Sequence, residues 1–139
     1  MKKHLLLLLI VPFFFGCSDN GFSNKNPYIP NYSFSVNLNL AFYQNLTYPG
    51  NAIYYSGAGV GSRGIYVFNT GSGYNAFDAA CPNQSLDSCT NLTLKGINLV
   101  CPCDKSEYSL YTGLSQSGLQ YPLKQYRVEV NGTVLRVYN

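Results

Sequence analysis

The sequence predicts an all-β domain, and three observations carry that expectation. Thirteen glycines and thirteen tyrosines stand among 139 residues, with 15% aromatic and only 11% charged residues; that balance fits packed strands and tight turns rather than helices or a disordered chain. Tyr32 to Leu40 alternates without a fault, with Tyr32, Phe34, Val36, Leu38 and Leu40 on one side and Ser33, Ser35, Asn37 and Asn39 on the other, the period of a half-buried strand. Near the end, Tyr126 to Val130 and Thr133 to Tyr138 flank Asn131-Gly132, a pair that favours the type I′ turn of a hairpin. The length allows one domain with one modest core.

In chain order, Met1-Lys2-Lys3-His4 is a short positive stretch, followed by an apolar run of eleven residues from Leu5 to Phe15. A helix of that length falls short of the ~20 residues needed to span a bilayer and suits the core of an export signal. The run ends in Phe14-Phe15-Gly16-Cys17, which resembles the bacterial lipobox, with Phe14 where leucine is commoner. That resemblance implies cleavage before Cys17 and acylation of Cys17. Ser18 next to it, rather than Asp, implies passage to the outer membrane. The expected division is a lipoprotein signal over 1–16, the lipidated Cys17 and a flexible, polar tether over 17–30, and a β domain over 31–139. The domain is then a lipid-anchored part of the bacterial cell envelope, outside the cytoplasm, where thiols tend to be oxidised. The expected partners are the lipid bilayer, through acylated Cys17, and an envelope protein or small molecule that the sequence does not name.

Ala41 to Tyr48 is expected to continue or pair with the Tyr32–Leu40 strand. Tyr48-Pro49-Gly50-Asn51 is a turn, and Ala52 to Tyr55 a short strand. Gly57-Ala58-Gly59-Val60-Gly61 lacks the Lys-Ser/Thr ending of a phosphate-binding loop and precedes no helical pattern; it reads as a loop needing positive φ angles. Gly64 to Phe68 and Tyr74 to Ala79 are strands joined by a turn. Leu92 to Leu94 and Ile97 to Val100 flank Lys95-Gly96 as a second hairpin, and Tyr108 to Tyr111 is a further strand before the loop of Leu114 to Gln120.

Between these strands lie two cysteine loops: Cys81-Pro82-Asn83 with Cys89, and Cys101-Pro102-Cys103-Asp104. They hold four of the five cysteines and resemble the loops of a Rieske iron–sulfur domain. That family carries Cys-x-His in the first loop and Cys-Pro-Cys-His-Gly-Ser in the second, with an extra cysteine in the first loop. Its outer cysteine and histidine in each loop bind a two-iron cluster, and the two remaining cysteines form a disulfide. The resemblance implies an antiparallel β-sandwich or partly open barrel with a two-loop cysteine subdomain at one end. Here Asn83 and Asp104 stand where the histidines belong, and Lys105 replaces the glycine, while Ser106 is kept. The family's ligand positions are therefore Cys81, Asn83, Cys101 and Asp104. An amide is a poor iron ligand, a carboxylate is harder and shorter than imidazole, and the only histidine, His4, lies in the expected signal. No cofactor and no metal is expected.

Two thiolates on one tetrahedral metal, with bonds of about 2.3 Å, lie about 3.8 Å apart, and a disulfide needs about 2.05 Å, so side-chain rotation spans the difference. The resemblance then implies Cys81–Cys101 as a disulfide from the former ligand pair, and Cys89–Cys103 as the family's own. Four cysteines allow three pairings. Cys101–Cys103 would be a strained short ring, and Cys81–Cys103 with Cys89–Cys101 stays open as an alternative.

The formal charge of +3 falls to about +1 without Lys2 and Lys3, and no basic patch points to nucleic acid. Without a histidine beyond the signal, Ser-His-Asp and Cys-His catalysis are excluded, and the chain is not expected to be an enzyme. The expected function is a disulfide-stabilised binding or structural module. Its alternatives are an electron-transfer protein with a [2Fe-2S] cluster of unusual ligation, held by Cys81, Cys101 and Asp104 or by all four cysteines, and a thiol–disulfide redox protein using Cys101-Pro102-Cys103.

Overall fold

The structure is a computed structural model that describes residues 25–139; the expected signal over 1–16 and Cys17 lie outside them. Among the described residues, nine strands form two antiparallel sheets. The larger contains β1 (Ser35–Asn39), β2 (Ala52–Tyr55), β3 (Ile65–Asn69), β4 (Tyr74–Asp78), β8 (Gln125–Asn131) and β9 (Val134–Tyr138), in the order β1-β9-β8-β4-β3-β2. The smaller is β5 (Thr93–Lys95), β6 (Asn98–Val100) and β7 (Glu107–Ser109), with β6 in the middle. The sheet is inserted between β4 and β8, so both cysteine loops belong to one excursion from the larger sheet.

β3 explains how the two sheets share one body. All five of its residues are buried. Ile65 and Val67 face a core with Leu38, Leu46, Ala76, Leu135 and Val137, while Tyr66 and Phe68 face a second core with Phe77, Leu99, Leu110 and the cysteines 81 and 101. A strand covered on both faces carries a continuous apolar run instead of alternation, and Ile65-Tyr66-Val67-Phe68 is such a run. Tyr66 lies directly opposite Phe77 on β4, placing two aromatic rings under the cysteine subdomain.

β1 shows the expected alternation from Phe34 to Leu40, with Leu38 fully buried, but Tyr32 is exposed and outside the strand. Ala41 to Tyr48 does not extend or pair with it. Asn39 Oδ1 accepts a hydrogen bond from Ala41 N, which turns the chain off the strand, and Gln44–Thr47 forms a single 3₁₀ turn that inserts Leu46 into the core. The final hairpin also differs from expectation. Asn131 pairs with Val134, so the loop is Gly132-Thr133 with φ 61° at Gly132. Glycine at the first central position is the type II′ pattern, in a register that sets Leu135 inward.

A further difference lies before β1. Residues 26–30, expected to belong to the tether, are docked on the domain. Ile29 is 1% exposed, Tyr28 meets Tyr121 edge to face at 6.0 Å, and Asn26 donates to the Pro82 carbonyl at 2.7 Å. Lys124, only 2% exposed, donates from Nζ to Pro30 O and to Asn31 Oδ1. Burial lowers the pKa of this ammonium and the nearby Asp78 carboxylate opposes that shift. A buried charge needs such partners, and the Pro30 and Asn31 oxygens supply them, so the segment is fixed rather than free.

The glycine-rich loop takes the positive φ angles expected of it, 75° at Gly59 and 64° at Gly61. It wraps a carboxylate of the domain itself. Asp78 is fully buried and accepts from Ser62 N at 2.6 Å, Ala80 N at 2.8 Å and the Tyr126 hydroxyl at 2.6 Å. A Cβ on Gly61 would stand 2.5 Å from the Gly64 carbonyl oxygen, so the turn around Asp78 closes only with glycine there. Burial, and then Asp78, push the Tyr126 phenol far above its usual value, which keeps it a donor. Replacing Tyr126 by Phe removes one hydrogen bond from a buried carboxylate; denaturant unfolding of the variant is expected to show a loss of about 2 kcal/mol, with both disulfides retained.

Candidate functional site

The first cysteine loop leaves β4 through Ala79 and Ala80 and is closed at its base by Cys81 N donating to the Thr90 carbonyl at 2.8 Å. Thr90 is fully buried, and its hydroxyl donates to Asp87 O at 2.6 Å, which pins the end of the loop. The second loop is a tight reversal between β6 and β7. Lys105 N donates to Cys101 O and Cys101 N donates to Ser106 O. Reversal in so few residues demands one left-handed residue, and Lys105 supplies it at φ 65°, alone among non-glycine residues described. The glycine of the resembling motif is missing, but the conformation that glycine allows is kept. An L-residue there costs roughly 1–2 kcal/mol.

The loops meet covalently. Cys81 is joined to Cys101 with a Cα separation of 5.6 Å, and Cys89 to Cys103 with 5.3 Å. Both distances sit in the ordinary disulfide range. The first bond is fully buried in the core beneath Phe77, Leu99 and Tyr108. The second lies nearer the surface, with Cys89 exposed and Cys103 half-buried. The sulfurs of Cys81, Cys101 and Cys103 all lie within 4.8 Å of one another.

Asn83 and Asp104 are both hydrogen-bonded within the domain. Asn83 behaves like a segment of backbone: its Nδ2 donates to Tyr121 O at 2.7 Å and its Oδ1 accepts from Tyr121 N at 3.0 Å. Nδ2 also donates to the Tyr108 hydroxyl at 2.9 Å. Ser106 Oγ lies within hydrogen-bond distance of that same hydroxyl, at 3.2 Å, and donates its proton to Asp104 Oδ1. Asp104 further accepts from Ser106 N at 3.0 Å, and its Oδ2 from Gln84 Nε2 at 2.8 Å. A continuous polar chain thus runs from Tyr121 through Asn83, Tyr108, Ser106 and Asp104 to Gln84, crossing both loops.

Desolvation raises the Asp104 pKa, but the hydrogen bonds from Ser106 and Gln84 outweigh it and hold the carboxyl below the usual carboxylate range. A folded pKa below the unfolded one means that the contribution is present above the unfolded value and is lost as pH falls through the folded one. Glu107 is likewise held low, chiefly by Lys95, an ion pair that links β7 to β5 across β6. Exposed pairs of this kind add little stability.

This donor set does not fit a [2Fe-2S] cluster with Rieske ligation. Cys81 and Cys101 spend their sulfurs on each other, Asn83 has its amide matched to Tyr121, and Asp104 is held against Ser106. Tyr121 and Tyr108 are the partners that sequence reasoning missed. Tyr108 lies two residues beyond the kept Ser106, a local signal; Tyr121 lies 38 residues from Asn83, with none. Away from the cysteine loops, Ala41, Phe42, Tyr43, Gln44, Asn45 and Ile53 line an open groove of about 460 Å³.

The two strand-borne loops, each contributing two cysteines, stand at one end of an all-β body, the arrangement that the resemblance to a Rieske domain implies. No family model matches the sequence, and no curated protein is similar to it. Among solved structures, the chain is similar to the ferredoxin of carbazole 1,9a-dioxygenase from Nocardioides aromaticivorans IC177, at 21% identity over 77% of this chain and 97% of that chain, with a TM-score of 0.47. It is similar to the E. coli protein NirD at 16% identity over 77% and 97%, with a TM-score of 0.49. Likeness to the Sphingomonas yanoikuyae B1 ferredoxin is 18% identity over 66% and 88%, with a TM-score of 0.45.

Lys105 at its positive φ generates a direct test. Lys105→Gly removes the strain but loosens the unfolded chain, so a net gain of up to about 1 kcal/mol is expected. Thermal unfolding of both forms checks it, and a lower midpoint for the glycine variant would contradict the assignment of strain to this residue.

Proposed function

We propose that this Rieske-like module has exchanged its iron–sulfur cluster for a second disulfide and serves as a binding or structural domain, held on the outer membrane by acylated Cys17 and lying outside the cytoplasm. The observation that carries this reading is the double commitment of the ligand positions: a disulfide at Cys81 and Cys101, and hydrogen bonds that use both ends of Asn83 and both oxygens of Asp104. Releasing these groups to a metal would break the polar chain that joins the loops, and the half-buried partners of Asn83 would lose their hydrogen bonds, at up to about 1–3 kcal/mol for each one left unsatisfied.

The envelope setting supports the same reading, because an oxidising compartment keeps disulfides formed. The anchor rests on the apolar run Leu5–Phe15 and on Gly16-Cys17. No helix among the described residues is long and apolar enough to cross a membrane. The module has no catalytic histidine to offer, and its partner is an envelope protein or a small molecule. The convergence of three sulfurs within 4.8 Å is the one observation that favours the second reading, an electron carrier with a cluster on thiolate ligands.

Iron analysis and electron paramagnetic resonance of the protein isolated from its native membranes separate the two. The disulfide module is expected to carry only substoichiometric iron and to give no signal on reduction. Two irons per chain with a reduced-cluster signal would overturn it in favour of the electron carrier.

A further inference from the structure

The two disulfides differ in access and nearly touch. Cys81 and Cys101 are 0% exposed, enclosed by Phe77, Leu99 and Tyr108, so a reductant in solution cannot reach their sulfurs in the closed domain. Cys89 is exposed, on a loop whose residues from Ser85 to Ser88 are exposed as well. Cys103 joins the two environments, being bonded to Cys89 and having its sulfur within 4.8 Å of both buried sulfurs.

We propose that the exposed Cys89–Cys103 bond is the site at which a dithiol reductant attacks this domain, and that Cys103 relays the reduction to the buried Cys81–Cys101 bond by internal exchange. The proposal rests on the disulfide-bonded reading given above. A thiolate of the dithiol attacks Cys89 Sγ, the Cys89–Cys103 bond breaks, and Cys103 leaves as a thiolate. The second thiol of the reductant then attacks its own sulfur in the mixed disulfide, closing a cyclic disulfide and releasing Cys89, which takes up a proton. Two electrons have passed from the dithiol to the protein.

Cys103 thiolate next attacks Cys81 Sγ. The Cys81–Cys103 bond forms, the Cys81–Cys101 bond breaks, and Cys101 leaves as a thiolate and is protonated. No electrons enter or leave in this step. Attack on Cys81 is favoured over attack on Cys101, because a Cys101–Cys103 bond would close a strained ring across Pro102. The exchange turns a bond between two buried sulfurs into one that includes half-buried Cys103, where a second dithiol completes the reduction. Rates of such exchange follow access as well as thiolate character.

Graded reduction of the native protein with dithiothreitol tests the relay, with acid quenching, alkylation and tandem mass spectrometry of the linked peptides. After one bond equivalent, labels are expected on Cys89 and divided between Cys101 and Cys103, together with a Cys81–Cys103 crosslink. Cys89→Ser with Cys103→Ser is expected to slow reduction of the Cys81–Cys101 bond on the order of tenfold or more, whereas mere loosening of the domain would speed it. Labels on Cys81 and Cys101 before Cys89, or full reduction with no Cys81–Cys103 crosslink at any stage, would overturn the relay. Free thiols at these four positions before any reductant is added would instead overturn the disulfide-bonded reading itself.

Discussion

The bond between Cys81 and Cys101 is the constraint on which the rest of the structure depends. It ties the start of the first loop to the start of the second inside the core, where β4 and β6 deliver them. With a sequence separation of 20, closing that loop in the unfolded chain is worth about 3 kcal/mol on the loop-entropy account. The benefit here is also geometric: the bond holds the three-stranded sheet against Tyr66 and Phe77, and the small sheet is otherwise short and poorly buried, with every residue of β5 exposed. Three-residue strands do not hold together alone in water. The covalent tie and the core under it let this subdomain exist.

Around that tie, the contacts of Asn83 and Asp104 form a consistent set. An imidazole that binds a metal leaves its loop dependent on the metal. Asn83 instead pairs with the backbone of Tyr121, and so draws the loop that precedes β8 over the first cysteine loop. Asp104 caps its own turn through Ser106 and reaches Gln84 in the other loop. Cohesion that a cluster would supply at a single point is spread over a disulfide and a chain of hydrogen bonds. The docked segment at residues 26–31 adds to this end of the domain, since Asn26 covers the Pro82 carbonyl.

Much of the fold was legible in the sequence because its signals are local. The alternation from Phe34 to Leu40, the apolar run of β3 and the glycine-bearing hairpins all follow from neighbouring residues and the strand period. The failures are non-local. Leu46 lies among polar residues and gave no pattern, yet it fills the core from a 3₁₀ turn. Ile29 sits in a stretch with the composition of a linker, and the docking of that stretch depends on buried Lys124, 94 residues from Pro30 and 93 from Asn31. Lysine is almost never fully buried unless paired, so nothing in the sequence around Lys124 marks it. The cysteine loops were readable through their motif, whereas the partners of Asn83 and Asp104 exist only once the loops have been brought together.

The rest of the structure depends on the sulfurs of Cys81 and Cys101 being bonded to each other. Intact-mass measurement after alkylation under denaturing, non-reducing and anaerobic conditions, on protein taken directly from its native membranes, tests it most directly. The account predicts no adduct on Cys81, Cys89, Cys101 or Cys103. Adducts on Cys81 and Cys101 would contradict it.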